Sequence, residues 1–508
     1  MKDLLLGIDI GTTGTKCTFY SLDGSVAASA YREYPMLRPH PGWAEQDPAL
    51  WWEAVCGNLR RCFDSGKVEA GRVAAVGVSC TNAVTLVDSR GEALCNALGL
   101  HDQRSSSQLE WLRAHVGAET VLRRTGNRLA KGSFALPRLK WLQENCPDAV
   151  ERSYKFLTPG GYVIQHLTGE FVINHSRANL TLMADILTGD WAYDIVDAAG
   201  FPRRLPPRSL PACAVAGEVS RAAAEATGLL PGTPVAAGNV DTVAATMAAG
   251  AVEPGDMAIT IGSSGRLCYI SDRPILDERL LNCESPIPGR WTVIQTTDNA
   301  GVSLRWFRDV FGGVLAGSAQ REGLPIYTAL SRAAAETEPG AGGLIYLPYL
   351  SGEQSPIWDP DARGVFFGAG LGTGYGHFVR AVREGVAFSL RDCLELVRGN
   401  VPAPELIPLG GGAANSPEWC QIFADVLNIP VSRFPLPETE TLGDAITAAG
   451  CAGLDGLPFD FGKRLCAAGE RFEPRPELAA MYDELFARYR SLYQKLRSEF
   501  CKANNSIC

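Results

Sequence analysis

At 508 residues the chain is too long for one hydrophobic core and implies two or more domains. Hydrophobic content of 46% with 20% charged residues is that of a globular protein, and a net charge of −9 argues against broad electrostatic affinity for nucleic acid or an anionic membrane. No apolar run of about 18 residues occurs, so no spanning helix is predicted, and Met1-Lys2-Asp3 leads into the first strand pattern without a signal peptide.

Fifteen cysteines are scattered without any Cys-x-x-Cys pair, which argues against structural zinc and a disulfide framework. Buried free thiols in a reducing cytoplasm are expected.

The first elements are apolar runs, Leu4 to Ile8 and Cys17 to Tyr20, around Asp9-Ile10-Gly11-Thr12-Thr13-Gly14-Thr15-Lys16. Their spacing predicts a β-hairpin with a Gly/Thr tip. Gly11 and Gly14 let backbone approach a ligand. N–H groups and Thr hydroxyls suit phosphate oxygens, and Lys16 offsets phosphate charge. Asp9 is an acid beside a loop built for anions, which a hydrated Mg²⁺ would explain. A plain hairpin with a solvated Asp is the alternative.

Residues 4–35 read as two or three strands, with Leu22-Asp23-Gly24-Ser25 as a turn between them. Asp47 caps a predicted helix from Pro48 to Asp64. Val73 to Ser79 is a short buried strand that ends in Cys80-Thr81-Asn82. Val84 to Val87 is another strand, and polar His101-Asp102-Gln103-Arg104 follows an apolar stretch abruptly. Helices are predicted near 105–116, 134–145 and 159–167, and residues 117–232, a mixed helical region, read as an insert or cap on the first sheet. Pro234 to Gly238 is a strand, followed by Asn239-Val240-Asp241 and an Ala-rich helix. Asp241 there is either a helix cap or a reactive group.

Met257 to Ile261, Gly262-Ser263-Ser264-Gly265 and Arg266 to Ile270 repeat the opening design of strand, hydroxylated turn and strand. Two related α/β domains follow from that repetition, with a boundary near 250. Helices are expected over 301–338 and 377–397. Ile407 to Leu409 leads into Gly410-Gly411-Gly412-Ala413, then a helix from Pro417 to Leu427. A small-residue helix at 443–452 suits tight packing, and a long charged helix spans 476–500.

Two glycine turns, one per domain, could clamp a polyphosphate, and a glycine triplet between strand and helix admits a base or ribose. Neither a Walker A loop nor a Rossmann fingerprint is present. Phosphoryl transfer needs a base near the acceptor hydroxyl and a metal near the phosphates, roles open to Asp241 and Asp9.

These segments resemble the FGGY carbohydrate kinases, of the actin/hexokinase/Hsp70-like superfamily, over roughly residues 4–490. Asp9–Lys16 and Ile261–Gly265 look like the two phosphate loops, with Ser263 where Thr is usual. Gly410–Ala413 with Ser416-Pro417-Glu418-Trp419 looks like the adenosine segment. Leu136–Leu142 and Gly364–Gly368 with Glu384-Gly385 are similar to the family signatures, though Ala369 and Arg383 replace aliphatic residues. The resemblance implies two ribonuclease H-like (actin-like ATPase) domains with a cleft between them. Residues 1–250 would carry the sugar site, first phosphate loop and catalytic acid, and 251–508 would bind ATP.

ATP-dependent phosphorylation of a sugar hydroxyl with Mg²⁺ is then implied. Asp241 matches the catalytic base and Asp9 the acid that organises the metal, with both near it. Thr12, Thr13, Gly14, Lys16, Gly262 and Ser263 would meet the phosphates, and Gly411, Gly412 and Ala413 the adenosine. Trp43–Pro48, Trp51-Trp52 and Tyr346–Glu353 look most like xylulokinases, so a ketopentose such as xylulose is the expected acceptor. The sugar pocket departs from that pattern. Cys80-Thr81-Asn82 stands for the usual Gln-Met-His, Leu100-His101-Asp102 for Trp-Asn-Asp, and Thr242 for Asn.

Thr81, Asn82, His101, Asp102, Arg104, Asp241 and Thr242 are the candidate acceptor contacts. Another ketose, gluconate, or a polyol such as erythritol or glycerol is the alternative. His101 as a satisfied surface histidine and Arg104 paired to an acid are the other readings of those two residues. A non-catalytic sugar or nucleotide sensor and a chaperone-like nucleotide hydrolase are rivals from other classes. Small-molecule sugar or polyol and ATP/ADP are the expected partners, without nucleic acid or membrane; a homodimer is open alongside a monomer.

Overall fold

The computed structural model describes residues 2–130, 134–433, 439–454 and 458–505. The chain divides into two compact units. The first comprises Met1–Val252, Ile270–Val293 and Glu438–Gly462; the second comprises Glu253–Tyr269, Ile294–Pro437 and Lys463–Cys508. The first crossing falls beside the expected boundary near 250. The division differs from a single cut because two later segments return to the first unit.

The first unit is built on a mixed sheet with strand order Val215–Glu218, Pro234–Ala236, Val73–Cys80, Leu4–Ile10, Gly14–Ser21 and Val26–Glu33. Alternating apolar residues on Leu4–Ile10 and Gly14–Ser21 give two strands with buried faces, and the Gly/Thr segment turns between them. Val26–Glu33 completes an antiparallel meander. Val73–Cys80 lies parallel to Leu4–Ile10 and is buried throughout, as a strand covered on both faces must be.

The helix Pro48–Asp64 forms where its cap predicts: the Asp47 carboxylate accepts the Ala49 N–H at 3.0 Å, and Trp51, Val55 and Leu59 enter the core. The helices Ala135–Asn145 and Pro159–Thr168 also stand where periodicity places them. Residues 117–232 are not simply a helical insert, because Val215–Glu218 joins the main sheet antiparallel to Pro234–Ala236.

The helix Thr439–Ala452 is a late contribution to this early sheet. It packs so closely that an added Cβ at Gly7 would lie 2.0 Å from the Thr441 carbonyl oxygen, and one at Gly77 would lie 1.9 Å from that of Asp444. At Gly443 it would lie 2.1 Å from the Ala244 carbonyl oxygen, so the contact with the helix Asp241–Ala248 also needs glycine. The Tyr20 and Thr441 hydroxyls bond at 2.9 Å.

In the second unit the strand order runs Gly265–Ser271, Met257–Ile261, Ile407–Gly411, Val431–Arg433 and Arg471–Phe472. The helix Tyr375–Val397 carries a buried Glu384 whose carboxylate accepts from Arg380 at 2.7 Å, Tyr482 at 2.8 Å and the Gly340 N–H at 3.0 Å. The long helix Ala479–Asn505 supplies that Tyr482, and also Tyr489, whose hydroxyl meets that of Tyr349 at 2.7 Å.

Among the described residues all cysteines are free, and no helix is long and apolar enough to cross a membrane.

Candidate active site

Three parallel segments of the first sheet end in register. Asp9 pairs with Ser79 and Ser79 with Asn239; Ile10 pairs with Cys80 and Cys80 with Val240. The next residues of each chain segment are Gly11-Thr12, Thr81-Asn82 and Asp241-Thr242. Strand register thus delivers the first glycine loop, a candidate acceptor segment and the candidate base to one carboxyl edge of a sheet. Ligands of open α/β sheets bind at that edge.

The loop itself is pinned from several sides. The Gly11 N–H donates to the Gly14 carbonyl at 2.9 Å, and the Tyr34 hydroxyl donates to the Gly11 carbonyl at 2.7 Å. Gln46 donates to the Thr12 carbonyl at 2.8 Å. The Thr12 and Thr81 hydroxyls lie 3.0 Å apart, which ties the loop to the neighbouring segment. Thr13 is exposed, with its hydroxyl 3.4 Å from that of Tyr31. Gly14 has no room for a Cβ, which would lie 2.5 Å from the Tyr31 hydroxyl and 2.7 Å from the Arg32 carbonyl oxygen. Lys16 stands opposite Asp9 in the hairpin register.

Asp9 accepts a hydrogen bond from Ser79 at 3.2 Å. Burial holds its carboxyl well above the usual range, with the charges of Glu440 and Asp241 adding to the effect and the Ser79 hydroxyl and Lys16 opposing it. Ser79 also donates to Asp444, at 2.8 Å. Asp444 is buried, and its other carboxylate oxygen has no hydrogen-bond partner among the described residues.

Asp241 is the first residue of its helix, with Val240 as the cap residue. Its Oδ1 accepts the Thr242 N–H at 2.7 Å and the Thr242 hydroxyl at 3.2 Å. The Thr242 hydroxyl is thereby directed at the acid.

The remaining acceptor candidates separate into different surroundings. Thr81 and Asn82 are buried at the strand end, and Asn82 Oδ1 accepts from Arg138 at 2.8 Å. Asp102 and Arg104 were expected to meet hydroxyls, but they are bound to each other. Asp102 accepts from Arg104 Nε at 2.9 Å and Nη2 at 2.7 Å, and also from the Ala44 N–H at 2.8 Å. Arg104 further donates to Glu45 at 2.7 Å, and its guanidinium sits 3.5 Å from the Trp43 ring centroid and 4.9 Å from that of Trp141. Its side chain is only 3% exposed, and its Nε and Nη2 are engaged by carboxylates. His101 lies at the surface, and partial desolvation of its ring, with the Arg38 charge, lowers its pKa.

In the second unit the other two nucleotide segments are neighbours in one sheet. Thr260 pairs with Gly410 and Ile261 with Gly411. The Gly262 N–H donates to the Ser264 carbonyl at 2.9 Å, and the Gly301 N–H to the Gly262 carbonyl at 3.0 Å. Gly262 and Ser263 are exposed, and Arg305 donates to the Ser263 hydroxyl at 3.0 Å. Gly411 has φ of 77°, and a Cβ there would lie 2.3 Å from the Ile261 carbonyl oxygen. Glycine is required at that point. Gly412 is exposed and Ala413 buried.

Family models for the FGGY family of carbohydrate kinases match twice, the N-terminal domain over residues 4–248 and the C-terminal domain over 257–451. The chain belongs to the FGGY family of carbohydrate kinases. Among the family's curated members, the chain is 28% identical to a gluconokinase of Bacillus subtilis (strain 168) over 489 residues, 96% of this chain and 94% of that one. It is 30% identical to a xylulose kinase of Escherichia coli (strain K12) over 456 residues, 89% of each chain. The crystal structure of xylulose kinase from Rhodospirillum rubrum superposes with a TM-score of 0.89 at 32% identity, covering 98% of this chain and 99% of that one. That of gluconate kinase from Lactobacillus acidophilus gives 0.89 at 25%, with the same coverage. The two-domain actin-like ATPase fold of the family is therefore the fold of this chain.

Sequence reading missed Ser79, Asp444, Glu440, Arg305 and Arg138 as neighbours of the predicted residues. An acid inside the Gly/Ala-rich run at 443–452 was the available signal for Asp444.

Among the described residues no group of three or more His, Cys, Asp and Glu side chains is arranged to hold a metal. Asp9, with one serine hydroxyl as its protein partner, fits Mg²⁺, which keeps most of its waters and binds through one or two carboxylates and phosphate.

Proposed function

We propose that the chain transfers the γ-phosphoryl group of ATP to a hydroxyl of a sugar or sugar-derived acceptor, with Asp241 as general base. One observation carries this reading: the register that brings Asp9, Thr12, Thr81 and Asp241 to a single sheet edge. Asp241 Oδ1 is engaged by Thr242, while Oδ2 has no hydrogen-bond partner among the described residues and is available to take the acceptor's proton. Thr12, Thr13, Gly14 and Lys16 bind and orient phosphate on the first unit; Gly262 and Ser263 do so on the second, with Gly411, Gly412 and Ala413 against the adenosine. Mg²⁺, held through Asp9, would neutralise phosphate charge. Asp241 then receives the hydroxyl proton as that oxygen bonds to phosphorus and the bond to the ADP oxygen breaks.

A ketopentose such as xylulose is the acceptor suggested by the xylulokinase-like segments, and the relatives named xylulose kinase support it. Those named gluconokinase or gluconate kinase support gluconate. A cytoplasmic location belongs to the same reading, supported by the free thiols.

The test is ADP release from ATP with ketopentoses, polyols and aldonates. Stimulation by one acceptor class supports the kinase reading. Turnover indifferent to acceptor points to a hydrolase, and absence of turnover to a sensor.

A further inference from the structure

The second glycine loop has a charged neighbour from another element of its own unit. Gly262-Ser263-Ser264-Gly265 carries no charged side chain, and Gly262 and Ser263 are exposed. The helix Gly301–Phe311 begins directly against it. Its Gly301 N–H donates to the Gly262 carbonyl at 3.0 Å, and its Val302 N–H to the Ser263 carbonyl at 3.1 Å. A Cβ at Gly301 would lie 2.2 Å from the Gly262 carbonyl oxygen, so glycine is needed for the contact. Those two leading N–H groups are spent on the loop's own carbonyls and are not offered to a ligand. Positive charge beside the loop tip comes instead from a side chain one turn on.

Arg305 is that side chain. It is exposed, and its Nη2 donates to the Ser263 hydroxyl at 3.0 Å. This is its one side-chain hydrogen bond among the described residues, and it forms no ion pair there. The one acid of the same helix, Asp309, is taken by Arg308 at 2.7 Å. A guanidinium is a fork of coplanar N–H donors, so the Ser263 contact leaves most of them unspent. An exposed arginine gives up rotamer freedom to hold one position. Arg305 holds it beside an accessible glycine turn, and the hydroxyl that fixes it belongs to that turn.

We propose that Arg305 binds the polyphosphate of the nucleotide, its unspent N–H groups donating to a pair of phosphate oxygens while the Ser263 hydroxyl holds it over the loop. The proposal rests on the phosphoryl-transfer reading above for what occupies the loop, and it adds to that reading a residue from outside both glycine turns. A guanidinium matches two phosphate oxygens in geometry as well as in charge, whereas an ammonium offers a point charge alone. Because Arg305, Gly262 and Ser263 are all exposed, a ligand reaches them without opening the core.

The experiment is calorimetric titration of the full chain, Arg305→Gln and Arg305→Lys with adenosine and ADP, at low and high salt. Glutamine keeps a donor for the Ser263 hydroxyl and loses the charge; lysine keeps the charge and loses the fork. Arg305→Gln should bind ADP about 10- to 100-fold more weakly than the parent and adenosine equally well. Arg305→Lys should fall between the two. Added salt should weaken ADP binding more steeply in the parent than in Arg305→Gln. Parent-like ADP binding by Arg305→Gln overturns the proposal. A loss that adenosine shares in full, or the same salt dependence in both proteins, also overturns it, because either marks a residue that only braces the loop. ATP turnover that no acceptor stimulates, alongside the expected ADP losses, overturns the phosphoryl-transfer reading and leaves Arg305 at the phosphates. No ADP binding by the parent overturns both. Should Arg305→Gln not fold, Arg305→Lys decides alone, and parent-like ADP affinity there overturns the proposal.

Discussion

Asp9 and Asp444 accept hydrogen bonds from one hydroxyl, that of Ser79, at 3.2 and 2.8 Å. Burial holds the Asp444 carboxyl well above the usual 3.8, and the Asp9 charge adds to this. A carboxyl whose pKa rises on folding contributes stability that is complete below 3.8 and is lost as pH climbs toward the folded value. Asp444→Asn removes that loss. The variant is expected to melt higher than the parent at pH 7–8, by roughly 1 kcal/mol, with the gap closing near pH 4. Thermal unfolding across that pH range checks it, and a variant less stable at every pH contradicts it.

Asp241 likewise has one carboxylate oxygen without a hydrogen-bond partner among the described residues, and in the proposed reading that oxygen takes the acceptor's proton. Asp241→Asn keeps the acceptor for the Thr242 N–H but cannot take a proton. Phosphoryl transfer should fall about 10²- to 10⁴-fold while ATP affinity, measured by calorimetric titration, is kept. Turnover near the parent rate would reject Asp241 as the base.

At Gly77 a methyl group would meet the Asp444 carbonyl oxygen at 1.9 Å. Gly77→Ala must therefore displace the helix Thr439–Ala452 and should cost about 1–3 kcal/mol in urea unfolding. Gly370→Ala serves as the control, because nothing lies within 4 Å of a Cβ there. Equal midpoints for the two variants would show that the helix gives way freely.

Arg104→Lys tests the buried ion pair. Lysine keeps the charge but loses the two-nitrogen grip on Asp102 and the flat contact with Trp43. A destabilisation of about 1–2 kcal/mol is expected, together with a changed near-ultraviolet dichroism from Trp43 and Trp141. An unaltered spectrum with parent stability would contradict it.

Much of the fold was legible because local signals were strong. The Gly/Thr tip between apolar strands located the opening hairpin, and Asp47-Pro48 located the start of a helix to the residue. Val215–Glu218 escaped because four residues with a glycine carry almost no strand pattern; only the neighbour Pro234–Ala236 makes it a strand. Asp102 and Arg104 were visible as polar residues, yet nothing local tells whether they bond to each other or to a ligand. The link from Ser79 to Asp444 spans 365 positions, and periodicity does not report contacts of that range.

The helix Thr439–Ala452 closes the glycine-lined face of the first sheet but lies far along the chain from it. During synthesis the strands Leu4–Ile10 and Val73–Cys80 emerge hundreds of residues before the element that covers them. A fragment ending at residue 252 would expose Gly7 and Gly77 to solvent as an unfilled groove. The two halves matched by the family models are therefore not two self-contained folding units: the first is covered by a helix that lies within the stretch matched by the second.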